Sequence, residues 1–184
     1  MGTAPGLCGI SIVEIINAGG GILIYLRYMD SPVGRISLTS NGEALTGLAF
    51  EEERHPLDRS GALEEPDAIL IDAERQLQEY FGKWRRSFDL PLQPSGTVFQ
   101  REVWTLLAQI PFGETISYRE LAKRLGKEKA VRAVGMANGR NPISIVIPCH
   151  RVIGANGDLT GYGGGLWRKE LLLRHEGAMA DLLF

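Results

Sequence analysis

The chain has 184 residues, is 44% hydrophobic and carries a formal charge of −2, enough for one large domain or two small ones around a packed core. Two cysteines, Cys8 and Cys149, are too few for a disulfide framework, and no Cys-x-x-Cys or His-x-x-x-His spacing offers a structural zinc site. Glycine is abundant, at 23 residues, yet no internal repeat or low-complexity tract appears.

The first apolar stretch, "GISIVEIINAGGGILIYL" at 9–26, has the hydropathy of a signal or membrane span. Glu14 and Asn17 interrupt it, three glycines follow, and no positively charged region precedes it, so neither reading is adopted. The expectation is a soluble, unprocessed protein of a reducing compartment, with residues 1–24 a poorly ordered extension and the fold starting near Tyr25. Residues 25–60 read as short strands, with Asn41-Gly42 a strong hairpin signal. A charged loop, "EEERHPLDRSGALEEPD", follows. From Asp67 to Trp84, Leu70, Ala73, Leu77 and Tyr80 or Phe81 recur at helical spacing. "FDLPLQPSG" at 88–96 reads as a linker, which closes an N-terminal sheet-and-helix unit over 25–94.

Beyond the linker the pattern is helical. "TVFQREVWTLLAQI" (97–110) offers Thr97 as an N-cap and Phe99, Val103, Leu106 and Ile110 as one apolar face. Pro111-Phe112-Gly113 stops it. Two short helices are expected at 117–126 and about 128–138, joined at Gly126. The pair resembles a helix-turn-helix, an arrangement also common in proteins that never meet DNA. Residues 119–140 hold seven Lys and Arg against Glu120 and Glu128, a local balance of +5 in a chain of −2. A solvated face accounts for such a run, but its concentration on one helix pair of an acidic chain fits a phosphate-facing patch better. Small residues, Ala130, Ala133, Val134, Gly135 and Ala137, surround Arg132. That composition suits close backbone approach and one inserted side chain, or tight packing on a neighbouring helix.

In "NPISIVIPCHRVIGANGDLTGYGGG", Ile143, Ile145, Val146 and Ile147 read as a buried strand that Pro148 ends, with Cys149 at its tip. A cysteine there could be inert core filling, and the adjacency of His150 proves little, because neighbours on an extended chain point apart. A single interior thiol, a nearby histidine, the Gly-rich turn 161–165 and a last helix carrying Glu176 together favour a nucleophile.

"IPCHRVIG", with "NP" ahead, "GYGGG" behind and "VRAVG" upstream, resembles the O6-alkylguanine-DNA alkyltransferase family. The likeness is densest over 97–177 and extends to about 25, where "YMDSPVG" resembles the family's opening. It implies an α+β fold. An N-terminal sheet-and-helix unit precedes a mostly helical DNA-binding and active-site domain over 95–177, with a tail at 178–184. It implies single-turnover repair of O6-alkylguanine, and of O4-alkylthymine, by irreversible transfer to the protein's own cysteine without a cofactor. Double-stranded DNA would be the partner and no membrane is involved. The expected form is a monomer, with cooperative binding on DNA left open, in the cytoplasm, at the nucleoid of a prokaryote or in the nucleus of a eukaryote.

Residue by residue, Cys149 resembles the alkyl acceptor, and His150 with Glu176 the relay that withdraws its proton through a water. Asn141 resembles the brace of the turn; an Asn-Pro turn initiator is the equal alternative. Tyr118 resembles the phenol that protonates the leaving guanine, and Arg132 the finger that fills the duplex when the nucleotide swings out. Ala130 and Ala133 would lie against the DNA beside it. Tyr162 and Gly163 resemble the lid over the flipped base, the carbonyls of Cys149 and Val152 would read its amino group, and Lys169 would support the lid. Gly163 departs from family members with a hydroxyl residue there, and the zinc ligands of some members are missing. A non-catalytic module that binds alkylated DNA is the alternative, against which Cys149 stands. A cysteine hydrolase is weaker, since nothing supplies water to release an adduct.

Overall fold

The computed structural model describes residues 23–52, 57 and 59–180; the expected extension up to residue 22, with Cys8, and the tail from 181 lie outside them. The hairpin signal is met by β1 (Tyr25–Met29), β2 (Ile36–Ser40) and β3 (Leu45–Phe50), an antiparallel sheet in the order β1-β2-β3. Asn41 Oδ1 accepts from the backbone N–H of Glu43 (3.1 Å) and Ala44 (2.9 Å), and Gly42 takes the left-handed φ of 88° that the turn needs. Helix α1 (Ala68–Phe81) starts on Asp67, whose carboxylate accepts the N–H of Leu70 at 2.8 Å. Its buried stripe, Leu70, Ala73, Leu77 and Tyr80, packs on the sheet.

The 88–96 segment is not a loose linker. Strand β3 presents an outer edge of backbone donors and acceptors, and the segment takes them: Leu45 N–H donates to Pro91 O (2.8 Å) and Gln93 N–H to Leu45 O (2.9 Å). Gln76 brackets Asp89 from α1, donating to its carbonyl and accepting from its N–H, both at 2.8 Å. Farther along the same edge Leu48 N–H donates to Pro142 O (2.8 Å) and accepts at its carbonyl from Ser144 N–H (3.0 Å). The sheet therefore anchors the loop that leads to Cys149.

That loop corrects the expected strand. Residues 143–147 are buried, but only Ile143 bridges to β3, and the rest is a tight turn. Pro142 and Pro148 remove a ladder donor at each end. The Asn141 side chain supplies bonds a partner strand would have made, donating to Ile147 O (2.7 Å) and accepting from Ile143 N–H (3.1 Å). Ile145 sits at φ 68°, a strained conformation for a β-branched residue.

Helix α2 (Val98–Leu107) opens with a capping box between Thr97 and Gln100. Val103, Trp104 and Leu107 are its buried face, with Ile110 just beyond and Phe99 and Leu106 half-buried on the flank, a rotation from the expected stripe. Trp104 drives the shift, because its indole N–H reaches Ala137 O at 2.9 Å. Strand β4 (Ile116–Ser117) pairs in parallel with β5 (Val152–Ile153). Ser117 caps helix α3 (Tyr118–Arg124) by accepting from Glu120 N–H at 3.0 Å. Gly126 turns the chain, a single 3-10 turn occupies Glu128–Ala130, and helix α4 (Val131–Asn138) packs across α3. Helix α5 is Leu166–His175; Glu176 caps its C-terminal end rather than lying within it. Among the described residues no helix is long and apolar enough to cross a membrane.

Candidate active site around Cys149

Cys149 opens a 3-10 turn, Cys149–Arg151, between the braced loop and β5. It is buried, at 4% exposure. His150, fully buried behind it, places Nε2 at 2.9 Å from Glu176 Oε1. A carboxylate only accepts, so the ring proton belongs on Nε2 and Nδ1 carries a lone pair. Nδ1 is buried without a hydrogen-bond partner in the protein. Burial lowers the His150 pKa below its ordinary value, although Glu176 works against the shift, so the imidazole is neutral at neutral pH.

Glu176 is the most heavily bonded side chain of the site. Oε2 accepts from Arg151 Nε (2.8 Å) and, at 3.4 Å, from Gly113 N–H; Oε1 accepts from His150, Arg151 Nη2 (2.9 Å) and Tyr80 Oη (2.8 Å). Burial alone would raise its pKa, but the hydrogen bonds and charges of His150 and Arg151 prevail and hold it far below the usual carboxylate range. Arg151 also donates to Ile110 O at 2.5 Å, which fixes the guanidinium.

Tyr118, the first residue of α3, is brought beside this turn by the β4–β5 pairing. Burial, and then the neighbouring Cys149, push its phenol up to about 12, so it stays protonated and able to donate. Its hydroxyl donates to Thr160 O (3.0 Å) or Gly161 O (3.1 Å). Lys169, fully buried on α5, donates to Val152 O (2.6 Å) and Thr160 O (2.8 Å), tying β5 to the Gly-rich loop. Burial lowers its pKa to about 8, with the nearby Cys149 acting in the opposite direction.

The carbonyls assigned to the base's amino group are not equally available. Cys149 O already receives Val152 N–H and a long 3.4 Å contact from Asn138 Nδ2, whereas Val152 O keeps a second lone pair beside Lys169.

A cleft of about 620 Å³ lies over this region, lined by Tyr118, Arg132, Gly135, Met136, Tyr162 and Gly163 among others. Arg132 and Ala133 are exposed on α4, with Ala130 half-buried at its start. Gly161 and Gly165 have left-handed φ values of 60° and 89°, but Gly163 does not. At Gly164 the constraint is space, since a Cβ would fall 2.5 Å from the Phe50 ring. Left-handed backbone freedom in this loop thus belongs to Gly161 and Gly165.

The structure brings Cys149, His150, Glu176, Asn141, Val152, Lys169 and Tyr118 together, and places Arg132, Tyr162 and Gly163 at the cleft. Sequence reading missed Arg151, Tyr80 and Asn138. Arg151 had a signal, being inside the Pro-Cys-His-Arg motif; Tyr80 and Asn138 looked like ordinary helix residues. Among the described residues no group of three His, Cys, Asp or Glu could hold a metal ion.

Residues 98–178 match the family profile described as 6-O-methylguanine DNA methyltransferase, DNA binding domain, and residues 24–94 match its ribonuclease-like domain. A methylated-DNA–protein-cysteine methyltransferase of Methanosarcina acetivorans is 47% identical over 155 residues, covering 84% of this chain and 99% of the relative. One from Mycolicibacterium paratuberculosis is 49% identical over 154 residues, covering 84% and 93%. Among solved structures, Mycobacterium tuberculosis OGT in complex with DNA aligns with a TM-score of 0.78 at 45% identity, covering 84% of this chain and 93% of that one.

Proposed function

The chain belongs to the 6-O-methylguanine DNA methyltransferase family, and we propose that it repairs O6-alkylguanine in duplex DNA by moving the alkyl group irreversibly onto Cys149. The observation that carries the assignment to Cys149 is the adjacent buried imidazole, held in one tautomer by an ionised carboxylate with its free lone pair on Nδ1.

His150 Nδ1 takes the thiol proton across a water, and Glu176, kept ionised, stabilises the imidazolium without itself becoming protonated. The thiolate attacks the alkyl carbon in line. The S–C bond forms, the C–O6 bond breaks, and its electron pair passes to the guanine, which Tyr118 protonates as it leaves. Because the target carbon is inaccessible in a stacked duplex, the nucleotide must swing out; Arg132, exposed at the rim of the cleft, fills the gap it leaves. Tyr162 closes over the flipped base, Val152 O reads its amino group, and Lys169 holds the loop beneath it. Asn141 keeps the acceptor turn in shape. The thioether is stable and nothing returns the thiol, so each chain acts once. The same chemistry extends to O4-alkylthymine. The protein acts as a monomer wherever the chromosome lies, in the cytoplasm of a prokaryote or the nucleus of a eukaryote.

A binding module without chemistry would have no use for a buried proton relay behind a thiol. With O6-methylguanine duplex in excess, repair should rise to one lesion per chain and stop. Continued turnover, or lesion binding without loss of the methyl group, would count against the assignment.

A further inference from the structure

We propose that Tyr80, on helix α1, is a positioning residue for alkyl transfer: its phenol fixes the Glu176 carboxylate, and through it the His150 imidazole. The inference rests on the reading of Cys149 as the acceptor.

Three donors converge on Glu176 Oε1, and two of them, His150 and Arg151, belong to the Cys149–Arg151 turn itself. Those two move with the turn they would have to orient. Tyr80 is the donor to Oε1 that arrives from the other half of the chain, so it ties this oxygen to a separate part of the core. The phenol is rigidly placed for the purpose. It is fully buried, with Phe81, Phe88, Phe112 and His175 at ring-centroid distances of 5.2, 5.4, 6.1 and 4.8 Å, and His175 Nε2 bonds its backbone carbonyl at 2.8 Å.

Arg151 grips both carboxylate oxygens and pulls them toward its own fork. The phenol opposes that pull on the oxygen His150 uses. The charged and titratable groups around the relay are Tyr80 from α1, Lys169 and His175 from α5, and Cys149, His150 and Arg151 from the turn. From the segment after α2, Phe112 faces Arg86 and Arg151, and Gly113 contributes its N–H. Of these, Tyr80 is an uncharged donor. Its hydroxyl stays protonated because burial, and then the charge on Glu176, raise its pKa well above the ordinary value. It can therefore orient the carboxylate at any working pH.

A buried tyrosine that merely satisfies its hydroxyl would affect stability alone. The distinguishing experiment is single-turnover transfer from an O6-methylguanine duplex, over a pH series, for the native chain, Tyr80→Phe and Phe88→Leu. Phe88→Leu perturbs the same ring cluster without touching the hydrogen bond. Tyr80→Phe should bind DNA as before and reach the same endpoint. Its rate should fall about ten-fold near neutral pH, and the gap should close in alkali, where the thiol ionises without the relay. Phe88→Leu should lose stability and keep the native profile. A Tyr80→Phe profile parallel to the native one, or the same change in Phe88→Leu, would overturn the proposal. On the native chain, methylation of Cys149 should shift the hydroxyl proton resonance of Tyr80; an unmoved resonance would overturn it too. Failure of the native chain to transfer at all would instead sink the acceptor reading.

Discussion

The two sides of Cys149 are built in opposite ways. Behind it the chain buries a carboxylate to which a guanidinium, an imidazole and a phenol are all bonded. On the Tyr118 side lies an open cleft of glycines, Met136, two tyrosines and the exposed Arg132. The back is preorganised for proton transfer and tolerates little change, because a buried ion loses heavily when a partner is removed. The front is made to be approached closely, and single substitutions there should alter recognition while leaving the fold alone.

The contrast is tested hardest at Glu176. Glu176→Gln leaves Arg151 buried without its counter-ion, so it should cost about 3 kcal/mol of stability, seen as a melting point lower by roughly 10 °C. Transfer should also fall most near neutral pH and partly recover in alkali. Acid provides the sign check. The folded pKa of Glu176 lies below its ordinary value of 4.5, so the unfolded chain takes up the proton first and native stability declines as pH drops through 4.5 and below. The Gln variant should decline less steeply over that window in denaturant titrations. Parallel acid profiles would mean that the carboxylate contributes nothing special to the back of the site.

On the front, Arg132→Ala should unfold at the native temperature yet repair duplex DNA about two orders of magnitude more slowly. Its reaction with a free O6-alkylated guanine should be nearly native. Equal losses on both substrates would erase the distinction between the two sides.

Much of this was legible in the residues, and the misses share a cause. The Asn41-Gly42 hairpin, the helices and the Thr97 cap follow from local chemistry that a short window contains. The apolar run at 143–147 was misread because burial looks the same in a strand and in a turn closed by the Asn141 side chain. The docking of 88–96 depends on a free edge of β3 that no local pattern reveals. Tyr80 shows the limit most clearly: its position on the apolar stripe of α1 is plain, but its hydroxyl partner is 96 residues away.

The smallest effect is expected at Gly163, which does not have a left-handed backbone. Gly163→Ser should change methyl transfer by no more than about five-fold, in line with one hydrogen bond worth ~1 kcal/mol net. The native chain should still accept O6-benzylguanine in competition with the methyl lesion. Complete rejection of the benzyl adduct would show that the cleft is narrowed by something other than the residues at its rim.

The central claim, that the buried back of the site exists to make Cys149 the alkyl acceptor, is tested most directly by peptide mass mapping after exposure to O6-methylguanine duplex. The account predicts one added methyl group per chain, carried wholly by the peptide containing Cys149 and absent in Cys149→Ser. A methyl group on any other residue, Cys8 included, or an unmodified chain alongside repaired DNA, would contradict it.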